Sequence, residues 1–262
     1  MKYLDIHCHL DSPDYDSDKG EVLVRMEEGG IGAITIGTDL ERSKKAVEIA
    51  ENNENIWATI GIHPGDVGHP IKGFFDEAEF EKLASHPKVV AIGECGLEYF
   101  HIAKEKTYEL QKKLFIEQIE FAIKHSKPLM LHIRPTKGTQ DAYEDAIYIL
   151  KNYPEIRGNV HFFAGNTETA KKFLDLGFTF SFTGVITFTR DYDEVIKYLP
   201  QDFIIAETDA PWVAPVPHRG KRNEPLFVIE VVKKIAEITG ENAESLNETM
   251  LRNAKRVFGI IF

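Results

Sequence analysis

Tyr3-Leu4-Asp5-Ile6-His7-Cys8-His9 is an apolar run that ends in two histidines two residues apart. How it is read decides the fold. On a strand, successive side chains alternate between faces, so His7 and His9 project to one side and Cys8 to the other. Two neutral imidazoles side by side make half of a metal site, and nitrogen donors suit zinc and other first-row transition metals. With ten histidines in 262 residues, the pair alone proves little. Its weight depends on partners further along the chain.

Runs of the same kind recur. Short β-rich stretches lie at 3–8, 33–37, 56–62, 89–94, 129–133, 159–163, 178–182 and 203–207. Most are followed by one-sided helical patterns, among them 41–52, 106–124, 141–151, 167–175 and 224–239. Leu110, Leu114, Gln118 and Phe121 show the 3–4 spacing of a helix packed on one face. Gly30, Gly158 and Gly177 stand just before strands, where helix C-caps and tight loops are expected. Eight β/α alternations in a chain of this length predict an α/β fold. The expected architecture is a single (β/α)8 TIM barrel, with residues 1–262 as one domain. A dinucleotide-binding open sheet has little support, because no Gly-x-Gly-x-x-Gly follows the first strand.

Composition narrows the function. Hydrophobic residues make up 43% and charged residues 28% of the chain, the balance of a soluble globular enzyme. The apolar runs are too short to span a bilayer, and the first residues lack the apolar core of a signal peptide, so a cytoplasmic protein is expected. Two cysteines, Cys8 and Cys95, are too few for a disulfide framework. Alternation points both away from the candidate site, as small buried side chains. A net charge of −11 argues against binding of nucleic acid through a broad basic surface. It leaves room for a phosphodiester met locally, with bound cations supplying positive charge.

A barrel places catalytic groups at the C-terminal ends of its strands. Five strands besides the first end in a metal-competent residue: His63, Glu94, His132, His161 and Asp209. Such a ring converges on one mouth and points to a metal centre. Six ligands, His7, His9, Glu94, His132, His161 and Asp209, suffice for two cations with open positions. Glu94, with two oxygens, is the natural bridge. His7, His9 and Asp209 come from strands that become neighbours when the barrel closes, and should share one ion with Glu94. His132 and His161 should hold the other. His63 has no obvious place in that set and suits contact with a substrate phosphate or protonation of a leaving oxygen. Arg134 can pair with a phosphate, or with Glu207 or Asp209 from behind the ligands. Glu207 shares the face of Asp209. Trp212 is placed to line a substrate groove. His218-Arg219-Gly220-Lys221-Arg222 is a basic cluster in an acidic chain, either a solvated loop or a phosphate contact through Arg219. Phe74-Phe75 and Phe162-Phe163 read as core or pocket wall rather than as stacking platforms.

The chain resembles the TatD family of metal-dependent deoxyribonucleases, within the wider amidohydrolase-like barrels. The resemblance runs from the first strand to about residue 225. It rests on His7-Cys8-His9, Gly61-Ile62-His63-Pro64, Gly93-Glu94-Cys95-Gly96-Leu97, His132-Ile133-Arg134, His161-Phe162-Phe163-Ala164-Gly165, Glu207-Thr208-Asp209-Ala210-Pro211 and Arg222-Asn223-Glu224-Pro225. Where many amidohydrolases bridge their metals with a modified lysine, this chain has Glu94, as TatD-like proteins do. It departs from the family at Glu98, where Asp is usual. It departs again after Arg134, at Pro135-Thr136-Lys137-Gly138, and at Phe162 and Ala164. The resemblance implies hydrolysis of a phosphodiester by a hydroxide bridging two divalent ions (Zn, Mn or Mg). Asp209 would orient or deprotonate the nucleophile. The expected substrate is DNA, bound locally at single-stranded ends and cut as by a 3′→5′ exonuclease. A metal-dependent acyl or amide hydrolase, such as a D-aminoacyl-tRNA deacylase, is the alternative. A non-enzymatic binding module is disfavoured by the complete ligand set, and no obligate protein partner or membrane is implied.

Overall fold

The computed structural model describes residues 1–261. Eight strands form one parallel sheet in sequential order: β1 Tyr3–Cys8, β2 Ile31–Ile36, β3 Ile56–Ile60, β4 Val89–Glu98, β5 Leu129–Arg134, β6 Gly158–Val160, β7 Thr179–Phe182 and β8 Ile204–Ala206. The sheet curls until β8 meets β1. The seam lies just past the end of β8, where Cys8 bridges Ala210 in parallel and Asp209 N–H donates to the His7 carbonyl at 2.9 Å. The eight predicted strands are all present, in a nearly closed (β/α)8 barrel.

Helices cover the outside: α1 Lys19–Gly29, α2 Leu40–Glu51, α3 Glu77–Ala84, α4 Lys104–Lys124, α5 Asp141–Leu150, α6 Thr167–Asp175, α7 Asp193–Tyr198, α8 Val228–Thr239 and α9 Ala243–Phe258. Strands buried on both faces must be almost continuously apolar, and nearly every strand residue is buried. Phe80, Phe115, Ile119, Phe173 and Val232 from the helices pack into one large cluster with strand residues such as Ile60, Leu131 and Phe180. A smaller cluster joins Leu4, Ile6, Ile34, Trp57, Met130 and Ile205 to Phe258 of α9 and Ile260. Side-chain caps set the starts of α2, α3, α6 and α9. Asp39 accepts from Arg42 N–H at 2.8 Å before α2, and Asn166 accepts from Thr169 N–H at 2.9 Å before α6.

Three details differ from the sequence reading. First, β4 does not end at Glu94. It continues to Glu98, and its last four residues pair with Leu131, His132, Ile133 and Arg134 of β5 after a shift of register between Ile92 and Cys95. The glycine at 96 permits this, since its φ is +140° and a Cβ there would lie 2.1 Å from the His132 carbonyl. Second, β6 and β8 stop at Val160 and Ala206, so His161 and Glu207 lie just beyond the ladder. Third, Gly30 caps α1 in the left-handed conformation as expected, but Gly158 belongs to β6. A Cβ at Gly158 would meet the Leu129 carbonyl at 2.2 Å, so this glycine serves the close approach of β5 and β6.

Candidate metal centre

The strand ends bring six predicted ligands together at one mouth. Glu94 stands at the middle, 4% exposed. Its Oε2 faces β1, 3.6 Å from His7 Nε2 and 3.9 Å from His9 Nε2. Its Oε1 faces the opposite side, 2.8 Å from His132 Nδ1, 3.1 Å from His161 Nε2 and 3.8 Å from His63 Nε2. One carboxylate thus presents a different oxygen to each half of the ring, the arrangement a bridging ligand needs. The register shift of β4 lets a mid-strand residue occupy this place, and Glu94 N–H is anchored on the Gly37 carbonyl at 2.9 Å.

On the β1 side, the His7 and His9 rings meet edge to face at 5.2 Å. Asp209 Oδ1 lies 3.8 Å from His7 Nε2 and 3.6 Å from His9 Nε2. Its backbone holds φ at +55°, uncommon for a residue with a side chain and typical of functional sites. Behind them lies Asp5, which is completely buried. It accepts from His7 N–H at 3.1 Å, from Thr208 N–H at 2.9 Å and from the Thr208 hydroxyl, so one carboxyl ties β1 to the segment after β8. Burial outweighs these bonds and pushes its pKa well above the usual carboxylate range.

On the other side, His161 stacks on His7 at 3.6 Å, so it touches both halves. Its Nδ1 is 3.4 Å from Glu207 Oε1. Glu207 is fully buried and accepts from Phe162 N–H and the Ser181 hydroxyl, both at 2.6 Å. Asn159 in turn donates to Ser181 Oγ at 2.6 Å. His132 lies between two carboxylates, with Glu94 on its Nδ1 side and Glu98 Oε2 3.0 Å from Nε2. Among the described residues, three groups bring donor atoms close enough together to hold an ion: His7, His161 and Asp209; His7, His9 and Glu94; and His63, Glu94 and His132. His63, left outside the ligand set by the sequence reading, therefore comes within reach of it. Its Nδ1 accepts from Gly65 N–H at 2.9 Å, which leaves Nε2 to face Glu94.

The donor chemistry fits a cation. The His7 ring is wholly buried, yet neither of its nitrogens has a hydrogen-bond partner. Buried polar atoms are almost always paired, and a metal ion satisfies a nitrogen as well as a proton donor does. Electrostatics agree. Burial, and then His161, push the His7 pKa down and keep the ring neutral, the form that binds metal. Burial opposes ionisation of Glu94 and Asp209, but the surrounding imidazoles, His161 and His7 for Glu94 and His9 first for Asp209, hold both below the usual range.

The predicted rim residues fare unequally. Trp212 is half exposed and packs edge-on against His9 at 4.9 Å. Arg134 ends β5 with its guanidinium 4.3 Å over the Phe100 ring, and it forms no ion pair with Glu207 or Asp209. Arg219 stacks over Phe188 at 3.5 Å. The basic cluster is smaller than the sequence suggests. Arg222 is taken up by Asp18, at 2.6 Å through two nitrogens, and by Glu224, while His218 stacks flat on Phe227 at 3.7 Å. Phe74 is exposed rather than core, whereas Phe163 is buried. Cys8 and Cys95 are buried and unpaired, and burial raises both thiol pKa values. Asp5, Asn159 and Ser181 escaped the sequence reading. Their signal is a polar residue inside an otherwise apolar strand.

A parallel barrel with histidines and carboxylates gathered at the C-terminal mouth defines a metal-dependent hydrolase. The family model described as TatD related DNase matches residues 4–259, and the chain belongs to that family. It is 37% identical over 261 residues to an uncharacterized metal-dependent hydrolase, YabD, of Bacillus subtilis (strain 168), covering 98% of each chain. It is 33% identical over 268 residues to a second uncharacterized metal-dependent hydrolase, YcfH of Escherichia coli (strain K12), covering 99% of this chain and 97% of the other. Among solved structures, the TatD homologue YjjV of Escherichia coli K12 superposes with a TM-score of 0.86, at 28% identity and 99% coverage of both chains. No helix among the described residues is long and apolar enough to cross a membrane.

Proposed function

We propose that the protein is a divalent-metal-dependent deoxyribonuclease that hydrolyses phosphodiester bonds at single-stranded DNA ends. The observation that carries the metal part of this reading is Glu94, whose two oxygens face different imidazoles, His7 and His9 on one side and His132 and His161 on the other. The family match supports DNA as the substrate. His7, His9 and Asp209 would hold one cation with Glu94, and His132 and His161 a second. Bound there, the cations would supply Lewis acidity and lower the pKa of water.

The chain's own groups then divide the work. Asp209, kept ionised and partly open to the mouth, is placed to orient the attacking water and accept its proton. His63 is pushed down to about 3, by burial first and the neighbouring His132 second. A neutral ring whose Nδ1 accepts from Gly65 carries its proton on Nε2. It therefore suits hydrogen bonding to a phosphoryl oxygen better than delivery of a proton as an imidazolium. Trp212 beside His9 offers a face for the terminal base. Arg134 and Arg219 each present a cation supported by an aromatic ring, available to a phosphate. With a net charge of −11, binding beyond this local grip is weak.

A matrix of substrates and metals tests the reading. Single-stranded DNA, a D-aminoacyl-tRNA and a small ester are each assayed with Mg²⁺, Mn²⁺ and Zn²⁺. Metal-stimulated release of nucleotides from DNA is expected. Cleavage of the acyl substrates with DNA left intact would replace the nuclease reading with the acyl-hydrolase one.

A further inference from the structure

Glu98 does two jobs with its two oxygens. Oε1 accepts from the N–H groups of Phe100 and His101, at 2.6 and 2.9 Å, and so caps the loop after β4. Oε2 meets His132 Nε2 at 3.0 Å. The residue is only 2% exposed, and its backbone is clamped by the equally buried Gln111 of α4. Glu98 N–H donates to Gln111 Oε1 at 2.7 Å, and Gln111 Nε2 donates to the Glu98 carbonyl at 2.9 Å. The extra length of β4 sets Glu98 beside Arg134 in the ladder, two residues on from Gly96 and its partner His132.

The other nitrogen of His132 completes the picture. Nδ1 lies 2.8 Å from Glu94 Oε1, on the side where the ligands gather. A neutral imidazole has one N–H and one lone pair. Both nitrogens face a carboxylate oxygen, so with a cation between Nδ1 and Glu94 the acceptor at Nε2 would select the tautomer with its proton there and leave the lone pair at Nδ1.

We infer that Glu98 is a positioning residue that fixes the ring orientation and tautomer of His132, directs its Nδ1 lone pair at the cation shared with Glu94, and so sets the occupancy of that cation. The inference rests on reading this site as a metal centre. It does not depend on the substrate being DNA.

The test is zinc titration of the metal-free full-length protein against a competing chelator, comparing the native chain with E98Q and H132A. Glutamine keeps an oxygen for the Phe100 and His101 N–H groups, so the loop cap survives. E98Q should weaken the same binding step as H132A, by about 10–100-fold, while the metal-free melting temperature stays near that of the native protein. If every zinc step in E98Q keeps native affinity, Glu98 serves the loop alone and the inference is overturned. Zinc steps left intact by H132A overturn it as well. Should E98Q fold poorly, ¹⁵N NMR of the zinc-loaded native protein decides instead. A His132 ring protonated at Nε2 and metal-bound at Nδ1 is expected, and the opposite tautomer sinks the proposal. None of these readouts involves nuclease activity, so failure of this inference is distinguishable from failure of the nuclease reading.

Discussion

The two sides of the mouth hold their imidazoles in different ways. On the β5/β6 side, His132 meets buried Glu98 at hydrogen-bond distance, 3.0 Å, while His161 Nδ1 has buried Glu207 3.4 Å away without a hydrogen bond. On the β1/β8 side, His7 has no hydrogen-bond partner at either nitrogen, and the buried carboxyl nearby, Asp5, spends its oxygens on backbone and on Thr208. One side is built by orienting rings, the other by orienting strands. The difference follows from topology. β5 and β6 sit inside a continuous ladder, so their backbones are already in place and only the rings need fixing. β1 and β8 meet at a seam with a single isolated bridge, so the backbone itself must be pinned before His7, His9 and Asp209 can converge.

The residue common to both sides should matter most. Glu94→Ala removes an oxygen from each set and is expected to cut metal-stimulated phosphodiesterase activity by orders of magnitude without unfolding the protein. Near-normal turnover would end the idea of a shared bridge. Removal of metal by EDTA should abolish the activity too. It should also lower the melting temperature, because an ion at 100 times its Kd stabilises the native state by about 2.7 kcal/mol. In a chain of this size that corresponds to roughly 5–10 °C. No shift in scanning calorimetry would mean that the buried, unpartnered His7 nitrogens do not hold an ion.

The seam and the ring supports can be weighed against each other. Asp5→Ala leaves two backbone N–H groups and a hydroxyl without their acceptor in a fully buried place. At about 1–3 kcal/mol for each unsatisfied group, the loss should exceed that of Ser181→Ala, which breaks one link to Glu207 and one to Asn159. Comparison of metal-free melting curves checks the order. If Ser181→Ala melts lower, the seam is not the weak point of the barrel.

The barrel was legible because its signal is repeated. Eight apolar runs with polar ends, each followed by a helical pattern, leave few architectures open. The convergence of the six candidate ligands was legible because strand ends are where a barrel gathers its functional groups. What escaped depends on registers that alternation does not encode. The slip at Ile92–Cys95 moves Glu94 to the interior of β4 and brings Glu98 beside His132, so the sequence reading stopped the strand four residues early. Asp5 carries no signal in the alternation of its apolar run, although a carboxylate amid Leu4 and Ile6 is costly to bury unless it is bonded. Arg222 was grouped with its basic neighbours because its partner Asp18 lies 204 residues away in the chain.

Two arginines three positions apart serve the loop after β8 differently. Arg222 is bonded to Asp18, Glu224 and the Asp14 carbonyl and lies over Tyr15, so it fastens the loop after β8 to the start of the chain. Arg219 rests on Phe188, and Lys221 has no ion-pair partner among the described residues, so both charges remain free to meet a phosphate. Arg222→Ala should lower the melting temperature and leave the KM for single-stranded DNA unchanged. Arg219→Glu with Lys221→Glu should do the reverse. It should raise KM a few-fold at constant melting temperature and reduce the slope of log affinity against log salt by about 1 for each phosphate no longer neutralised. The contrast fails if the double charge reversal leaves both KM and the salt slope unchanged, for then these side chains are only the solvated edge of the loop that Arg222 secures.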